Sequence, residues 1–274
     1  MSNRSVSASR FVSEAALALA QESDPDRFFC AMFLPEPARA AAFTLIAFNN
    51  EISRALAPAV SSEIAGSLAG YVRLQWWRDI VAGSRFPHEV ATPLGLILDE
   101  GLVSQATLLR MIDAREAELA GLSDDAAWTE SLLNGAGALQ RAFGEIAGID
   151  DLKLLEGLQI CGAAYGTGSL LRHLPAILRS GRHPLPAYFA VAEDEKTEVS
   201  ADLVAWLQAR GEAFLSEAEA IVPADKHLLA LPMFLARRDL KRSPCEIGYG
   251  NRGTWDRLSI ALAGLRAKAR FRAA

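Results

Sequence analysis

The amino-acid sequence predicts an all-α protein, folded as a single-domain helical bundle. Apolar residues recur every three or four positions through most of the chain, whereas the alternating pattern that is typical of strands is almost absent. Of the 274 residues, 51% are hydrophobic and only 12 are proline, a composition that favours helices around a large core. We expect one helical domain over residues 23–274, preceded by an N-terminal segment, 1–22, that could be frayed.

Charge and cysteine usage exclude several classes of function. The formal net charge is −5, so we expect no nucleic-acid partner. Cys30, Cys161 and Cys245 are far apart and form no C-x-x-C pair, which predicts a reducing compartment and argues against a disulfide framework or a zinc site. No apolar run reaches the roughly 18 residues that a membrane-spanning helix requires.

The first 14 residues lack the apolar segment of a secretory signal. They contain Arg4, Arg10 and several serines but no acid before Glu14, a pattern that mitochondrial presequences share. The alternative is the N-terminus of a bacterial cytosolic protein, and we favour this second interpretation. The expected location is therefore cytoplasmic, with peripheral attachment to the inner membrane as the open alternative.

The first helices lead to the most apolar segment of the chain. Helices are predicted over residues 13–21 and 27–33, and Pro37 then opens a longer helix at 38–56. This long helix is apolar on nearly all sides, so it belongs in the centre of the fold.

Polar side chains gather near the end of the long helix. Buried polar groups have to be paired or to serve a site. The polar residues concerned are Asn49, Asn50, Glu51, Ser53 and Arg54. The alternative is that Glu51 and Arg54, three residues apart, form an ion pair with no further role.

A linker of small residues at 58–70 precedes a helix at 71–81, whose sequence is YVRLQWWRDIV. The adjacent tryptophans of this helix are expected to pack in the core. Arg78 and Asp79 follow them directly. Residues 83–93 should then form a loop.

Two carboxylates lie one turn apart on the next well-defined helix. This helix spans 104–119, with Ser104 as its N-cap, and the carboxylates are Asp113 and Glu116. They could hold a metal ion, or they could belong to a solvated face of salt bridges with neighbouring arginines.

Residues 166–186, with the sequence GTGSLLRHLPAILRSGRHPLP, combine a packed helix with three arginines and no acid. Leucines at helical spacing and nearby glycines predict an inner helix, which continues from a start capped by Asp151. Pro175 should kink or restart this helix near His173, and Gly181 should end it. The arginines could bind a phosphate, or they could be solvated side chains of a core helix.

The C-terminal part of the chain completes the bundle. A surface loop at 193–198 precedes helices at 201–221, at 225–240 with a kink at Pro232, and at 255–269. The last helix carries several basic residues among leucines and a tryptophan. It could lie on an anionic membrane surface, or it could be a solvated helix that packs one apolar stripe on the domain.

Three stretches are similar to signatures of the squalene/phytoene synthase family: L-I-A-F-N at 45–49, L-x-W-W-R-D at 74–79, and L-L-R with S-G-R-x-P-L-P at 170–186. The resemblance extends over roughly residues 26–270. It implies an isoprenoid-synthase-type helical bundle around a central apolar channel. The channel is expected between the helices at 38–56, 74–81 and 170–178.

In that family, two aspartate-rich motifs hold magnesium ions that bind a prenyl diphosphate. The resemblance aligns one motif with Ser53, Arg54 and Ala57 and the other with His173 and Ile177, so neither motif keeps its aspartates. We therefore expect no metal and no other cofactor. Four arginines are candidates to bind a phosphate instead: Arg54, Arg78, Arg172 and Arg182. The polar residues expected at the channel are Asn49, Asn50, Glu51, Ser53 and His173.

The pattern A-F-N-x-E-I-x-R, together with L-x-W-W-R-D, resembles a divergent branch of the family that includes a mitochondrial assembly factor of respiratory complex I. Our first hypothesis is a non-catalytic isoprenoid- or lipid-binding protein or an assembly factor of this type. Its partners would be a prenyl diphosphate, an anionic lipid or a respiratory-complex subunit. The alternative is an active magnesium-dependent prenyltransferase for head-to-head condensation, with Asp79, Asp113 and Glu116 as metal ligands.

Overall fold

The all-α prediction is confirmed by the computed structural model, which describes residues 9–56, 63–180, 182–189, 199–242 and 252–273. The helices are α1 (Glu14–Ser23), α2 (Pro25–Ala31), α3 (Ala38–Ser53), α4 (Glu63–Val81), α5 (Ala91–Asp99), α6 (Gln105–Ala120), α7 (Asp125–Leu132), α8 (Ala138–Ile146), α9 (Leu152–Arg179), α10 (Ala201–Ile221), α11 (Pro232–Leu240) and α12 (Thr254–Ala273). A π-helical segment, Leu133–Gly137, joins α7 to α8. Within these residues the extended pairing is limited to one isolated bridge, between Leu122 and Pro186.

Helix α9 lies at the centre of the bundle. It has 28 residues, which corresponds to roughly 42 Å at a rise of about 1.5 Å per residue. Helices α8, α10 and α11 pack along it. Glycines allow this close packing, because a Cβ atom on Gly162 would lie 2.5 Å from the carbonyl oxygen of Ala136. The packing places the backbone of the π-helical segment directly against α9.

Helix α3 is the second buried helix, as its apolar circumference predicts. It packs against α1, α2 and α8. The rings of Phe28 and Phe43 stack with centroids 4.6 Å apart, and Phe48 meets Trp77 edge-on at 5.1 Å. A fully buried side chain such as that of Phe48 contributes about 1.5–3 kcal/mol. The hydroxyl of Thr44 donates to the carbonyl of Phe11 at 2.6 Å and so ties the N-terminal segment to α3.

The caps predicted at Ser104 and Asp151 are present, and Ser13, predicted as the first residue of a helix, is a third cap. The side chains of Ser13, Ser104 and Asp151 each accept a backbone N–H in the first turn of α1, α6 and α9. These caps fix where the helices begin.

The prediction of a linker at 58–70 was wrong for its second half, because α4 already begins at Glu63. Small residues are compatible with a helix, and here they allow close contact. A Cβ atom on Gly70 would lie 2.6 Å from the carbonyl oxygen of Ala55. Helix α4 therefore packs tightly against the end of the α3 segment.

Pro175 and Pro232 were predicted to kink helices, and neither interrupts a helix in the structure. Pro175 lies inside α9, which continues to Arg179 without a restart, because the buried Leu171, Leu174 and Leu178 hold both sides of the proline in the core. Pro232 does not kink a helix but begins α11, where its missing N–H costs nothing. Gly181 and the predicted loop at 193–198 lie outside the described residues.

Two further predictions concern thiols and membranes. Cys30 and Cys161 are buried free thiols, and burial raises the pKa of Cys161 to about 12. Cys245 lies outside the described residues. Among the helices that the structure describes, none is both long and apolar enough to cross a bilayer.

Candidate functional site

A cavity of about 320 Å³ lies between α3, α6, the α7–α8 segment and α9. One wall of the cavity is formed by α9, through Gly166, Ser169, Leu170 and Ile177. The remaining lining residues are Ser23, Asp24, Arg27, Asn49, Asn50, Ser53, Arg115, Glu118, Leu122, Trp128, Ser131, Leu132, Ala136, Tyr165, Arg182 and Pro184. The cavity thus combines one apolar face with a ring of polar and charged groups.

Three of the polar residues predicted on α3 line this cavity: Asn49, Asn50 and Ser53. The hydroxyl of Ser53 donates to the carbonyl of Asn49 at 2.7 Å. The side-chain oxygen of Asn49 accepts from Nη2 of Arg115 at 3.1 Å, so α3 and α6 are linked at the cavity wall.

Glu51 and Arg54 do not line the cavity. The carboxylate of Glu51 is buried and lies 2.9 Å from Nη1 of Arg54, whose own side chain is 58% exposed. The ion-pair alternative therefore describes this pair, because one turn of helix brings them together on the side of α3 away from the cavity.

Arg115 and Arg182 meet at one carboxylate of the cavity wall, that of Glu118. Nη1 of Arg115 lies 3.3 Å from this carboxylate, and Nη2 of Arg182 lies 2.6 Å from it. Burial lowers the pKa of Arg115, although the charge of Glu118 opposes this effect. Two guanidinium groups thus share a single acid.

Arg27 is a third cavity arginine, and only 3% of its surface is exposed. Its Nη2 donates to the carbonyl of Ala136 at 2.8 Å, and its guanidinium stacks over the ring of Tyr165 at 4.5 Å. The hydroxyl of Tyr165 donates to Asp24 at 3.1 Å, and burial keeps the pKa of this phenol well above its usual value. The three lining arginines therefore face two lining carboxylates, Asp24 and Glu118, and leave one positive charge in excess.

Three buried donors on lining residues lack an acceptor in the part of the chain that the structure describes. They are Nε of Arg27, Nε of Arg115 and Nε1 of Trp128. A buried donor without an acceptor costs about 1–3 kcal/mol.

Arg78 lies outside the cavity, at the contact between α4 and α6. Its Nη2 donates to Asp113 at 2.7 Å and also to Glu116. Asp79 accepts from Gln75 at 2.8 Å on the surface of α4. The two carboxylates considered as metal ligands are thus bound to an arginine, and no group of three His, Cys, Asp or Glu side chains in the described ranges is arranged to hold a metal.

Arg172 and His173 also lie outside the cavity, contrary to expectation. Arg172 is only 5% exposed, and its Nη2 donates to Asp26 at 3.0 Å. The same Nη2 lies 3.0 Å from Nε2 of His173, whose pKa is lowered by burial and by the charge of Arg172. The carboxylate of Asp26 also pairs with Arg252, whose Nε lies 2.9 Å from Oδ2. Of the four predicted arginines, Arg182 alone lines the cavity.

Sequence reasoning missed Arg27 as a site residue and interpreted Arg115 as part of a solvated face. The sequence does contain a local signal for ion pairing. Asp24, the N-cap of α2, lies three residues before Arg27, and Arg115 lies three residues before Glu118. Periodicity could not show that Arg27 is buried and that Arg115 is partly buried, since neighbouring parts of the chain cover these side chains only in the folded bundle. The helix at 74–81, expected to line the channel, contributes no residue to the lining of this cavity.

An all-α bundle with a cavity beside two buried helices is the architecture expected of the isoprenoid-synthase class of folds. A family model described as "Squalene/phytoene synthase" matches residues 20–242, and the chain belongs to this family. The structure is similar to that of a dehydrosqualene synthase in complex with ligand, with a TM-score of 0.70, 14% identity and coverage of 97% of each chain. It is also similar to squalene synthase HpnC from Alicyclobacillus acidocaldarius, with a TM-score of 0.64 and 17% identity over 84% of this chain and 91% of that one. At these identities the likeness shows the fold.

Curated relatives point to one further class of proteins. The chain is 29% identical over 169 residues to "NADH dehydrogenase (ubiquinone) complex I, assembly factor 6" of Bos taurus, and 28% identical over 169 residues to the protein of that name in Homo sapiens. Each match covers 58% of this chain and 48% of the relative. The homolog in Drosophila melanogaster is 26% identical over 183 residues, covering 62% of this chain and 52% of that protein. The chain spans about half the length of these relatives.

Proposed function

We propose that this protein is a non-catalytic member of the squalene/phytoene synthase family that acts in the assembly of respiratory complex I. We further propose that its central cavity binds a phosphate-bearing isoprenoid or lipid without a metal. The observation that carries the proposal is the lining of the cavity, where Arg27, Arg115 and Arg182 supply the charge and Ser53 and Ile177 occupy positions that the family resemblance gives to metal-binding aspartates.

The carboxylates of the cavity do not fit a magnesium site. Asp24 caps the backbone N–H of Arg27 at 2.9 Å and accepts from Tyr165, and Glu118 is shared between Arg115 and Arg182. A magnesium ion needs carboxylate oxygens that are free to bind it. Both lining carboxylates are already engaged by groups of the protein, which supports binding without a metal.

Arginine is well suited to bind a phosphate group without a metal. Its planar guanidinium binds phosphate oxygens through two parallel N–H groups and stays charged at working pH. Of the three lining arginines, Arg182 has the most exposed side chain, at 29%, and Arg115 follows at 15%. The apolar face around Leu170 and Ile177 would accept the hydrocarbon part of the same ligand.

The names of the relatives support the assembly role. All three are called assembly factors of complex I, and each matches more than half of this chain. We infer that the partner is a subunit or subassembly of complex I. The competing function is an active magnesium-dependent prenyltransferase, which the likeness to the two synthase structures favours.

Two measurements test the proposal. Purified protein with farnesyl or geranylgeranyl diphosphate and magnesium should release no more inorganic diphosphate than a heat-denatured sample. Deletion of the gene in the source organism should lower the amount of assembled complex I on native gels, and a plasmid copy should restore it. Magnesium-dependent diphosphate release would overturn the non-catalytic assignment, whereas unchanged complex I in the deletion strain would overturn the assembly role.

A further inference from the structure

Helix α12 exposes a row of large apolar side chains. Trp255, Leu258, Leu262 and Leu265 are exposed by 77%, 46%, 47% and 60%. The helix packs on the domain through other residues, among them Ile260 and Ala267, which are buried. Single exposed apolar side chains are common, but four on one helix form a continuous patch.

The four side chains lie on one side of the helix. At about 100° per residue, they fall within an arc of about 80°, and the buried Ile260 and Ala267 lie on the opposite side. With a rise of about 1.5 Å per residue, the row from Trp255 to Leu265 is about 15 Å long. We call this row the apolar stripe of α12.

Basic residues border the apolar stripe on both sides. By the same helical geometry, Arg266 and Arg270 lie along one edge, and Arg257 and Lys268 lie along the other. None of these four forms an ion pair within the part of the chain that the structure describes. The acid of this helix, Asp256, is buried and pairs instead with Arg238 at 2.8 Å and with Arg242 at 3.3 Å.

A groove of about 470 Å³ runs beside one of these edges. Arg266 and Arg270 line it together with Arg237 and His227. The groove offers space for a polar group at the border of the stripe. Its charge is mainly positive, since Glu219 is the single acid among the lining residues.

We propose that the apolar stripe and its basic borders dock this protein on the surface of an anionic membrane. Trp255 and the three leucines would enter the boundary between headgroups and acyl chains, and the basic residues would bind lipid phosphates. The rest of the protein opposes such binding, because the chain has a net charge of −5. Attachment would therefore use this face and orient the protein. This inference does not depend on the proposed function.

Charge favours a membrane over a second copy of the chain. Two copies of α12 packed through their stripes would bring the four basic residues of each together, and like charges at short range repel. Lipid headgroups of negative charge would neutralise them instead.

Vesicle flotation tests the proposal with the full chain. Wild-type protein should float with phosphatidylcholine vesicles that contain about one third phosphatidylglycerol, and it should do so roughly tenfold less with phosphatidylcholine alone or in high salt. A triple variant, Leu258→Ser, Leu262→Ser and Leu265→Ser, should bind the anionic vesicles roughly tenfold less than wild type. Because these side chains are exposed, the variant should keep its circular dichroism spectrum and melting temperature.

Two controls make the result specific to α12. Leu152→Ser removes a side chain that is 72% exposed on another helix, and it should bind like wild type. A variant with Arg257, Arg266, Lys268 and Arg270 all changed to Gln should lose the preference for phosphatidylglycerol. Equal flotation of wild type and the triple variant would overturn the proposal, as would the absence of wild-type binding to anionic vesicles. A dimer in solution that the triple variant abolishes would overturn it too, and would identify the stripe as a contact between copies.

Discussion

Asp26 and Arg172 are 146 residues apart in the sequence, yet they form a buried ion pair with Oδ2 and Nη2 separated by 3.0 Å. The same carboxylate oxygen accepts from Nε of Arg252 at 2.9 Å. Arg252 also binds both oxygens of Asp239, at 2.6 and 2.7 Å. This cluster joins α2, α9, α11 and the segment directly before α12. It therefore links four separate elements of the bundle.

We expect Asp26→Ala to destabilise the protein by about 3–5 kcal/mol, because the change leaves two buried guanidinium groups without their shared acid. Urea unfolding followed by circular dichroism would measure this loss. The control is Asp113→Ala, which removes a carboxylate that pairs with Arg78 but is 57% exposed. That change should cost no more than about 1 kcal/mol. Equal losses in the two variants would contradict the structural role of the cluster.

Gly162→Ala should destabilise the fold by about 1–3 kcal/mol, because the new Cβ would lie 2.5 Å from the carbonyl oxygen of Ala136 and the backbone cannot move away easily. Thermal unfolding would measure the effect. Gly253→Ala serves as the control, since no atom lies within 4 Å of the place that its new Cβ would occupy. If both variants unfold at the wild-type temperature, α9 is not packed as closely as the structure indicates.

Arg182→Gln should weaken binding of a prenyl diphosphate by about ten- to hundredfold when EDTA is present, because it removes one charged phosphate ligand from the cavity wall. Isothermal titration would measure the affinity. The fold should persist, since Glu118 keeps its contact with Arg115. Arg54→Gln is the matched control, because Arg54 lies outside the cavity, and it should bind like wild type. Unchanged binding in Arg182→Gln would argue against metal-free phosphate binding at this site.

Stability should fall as the pH is lowered from about 7.5 to about 5.5, and His173 should contribute to the loss. Burial and the charge of Arg172 lower the pKa of His173 in the folded state, so protonation favours the unfolded chain. The stabilisation by neutral His173 is complete above its unfolded pKa of about 6.5 and decreases as the pH falls through that value. Unfolding free energies at several pH values should show a smaller decrease for His173→Gln. A change at the exposed His183, to Gln, should leave the decrease as in wild type.

Much of the fold could be predicted from local patterns. The spacing of apolar residues predicted most of the helices, and Ser104 and Asp151 marked two of their starts, because caps and periodicity depend on residues within one or two turns. Pro175 and the small residues before Gly70 misled the prediction. In both places packing against neighbouring helices decided the outcome, and local propensity cannot include that contribution.

The candidate site shows more clearly what local sequence patterns cannot predict. The sequence by itself determined the all-α class, the family resemblance and the polar residues Asn49, Asn50 and Ser53 on a buried helix. Only the tertiary structure decided which charges line the cavity. It placed Arg27 and Arg115 there, and it paired Arg54 and Arg172 elsewhere with Glu51 and Asp26. The physical reason is that an arginine side chain takes the acid that the folded chain brings within reach, and for Arg172 that acid comes from a helix 146 residues away.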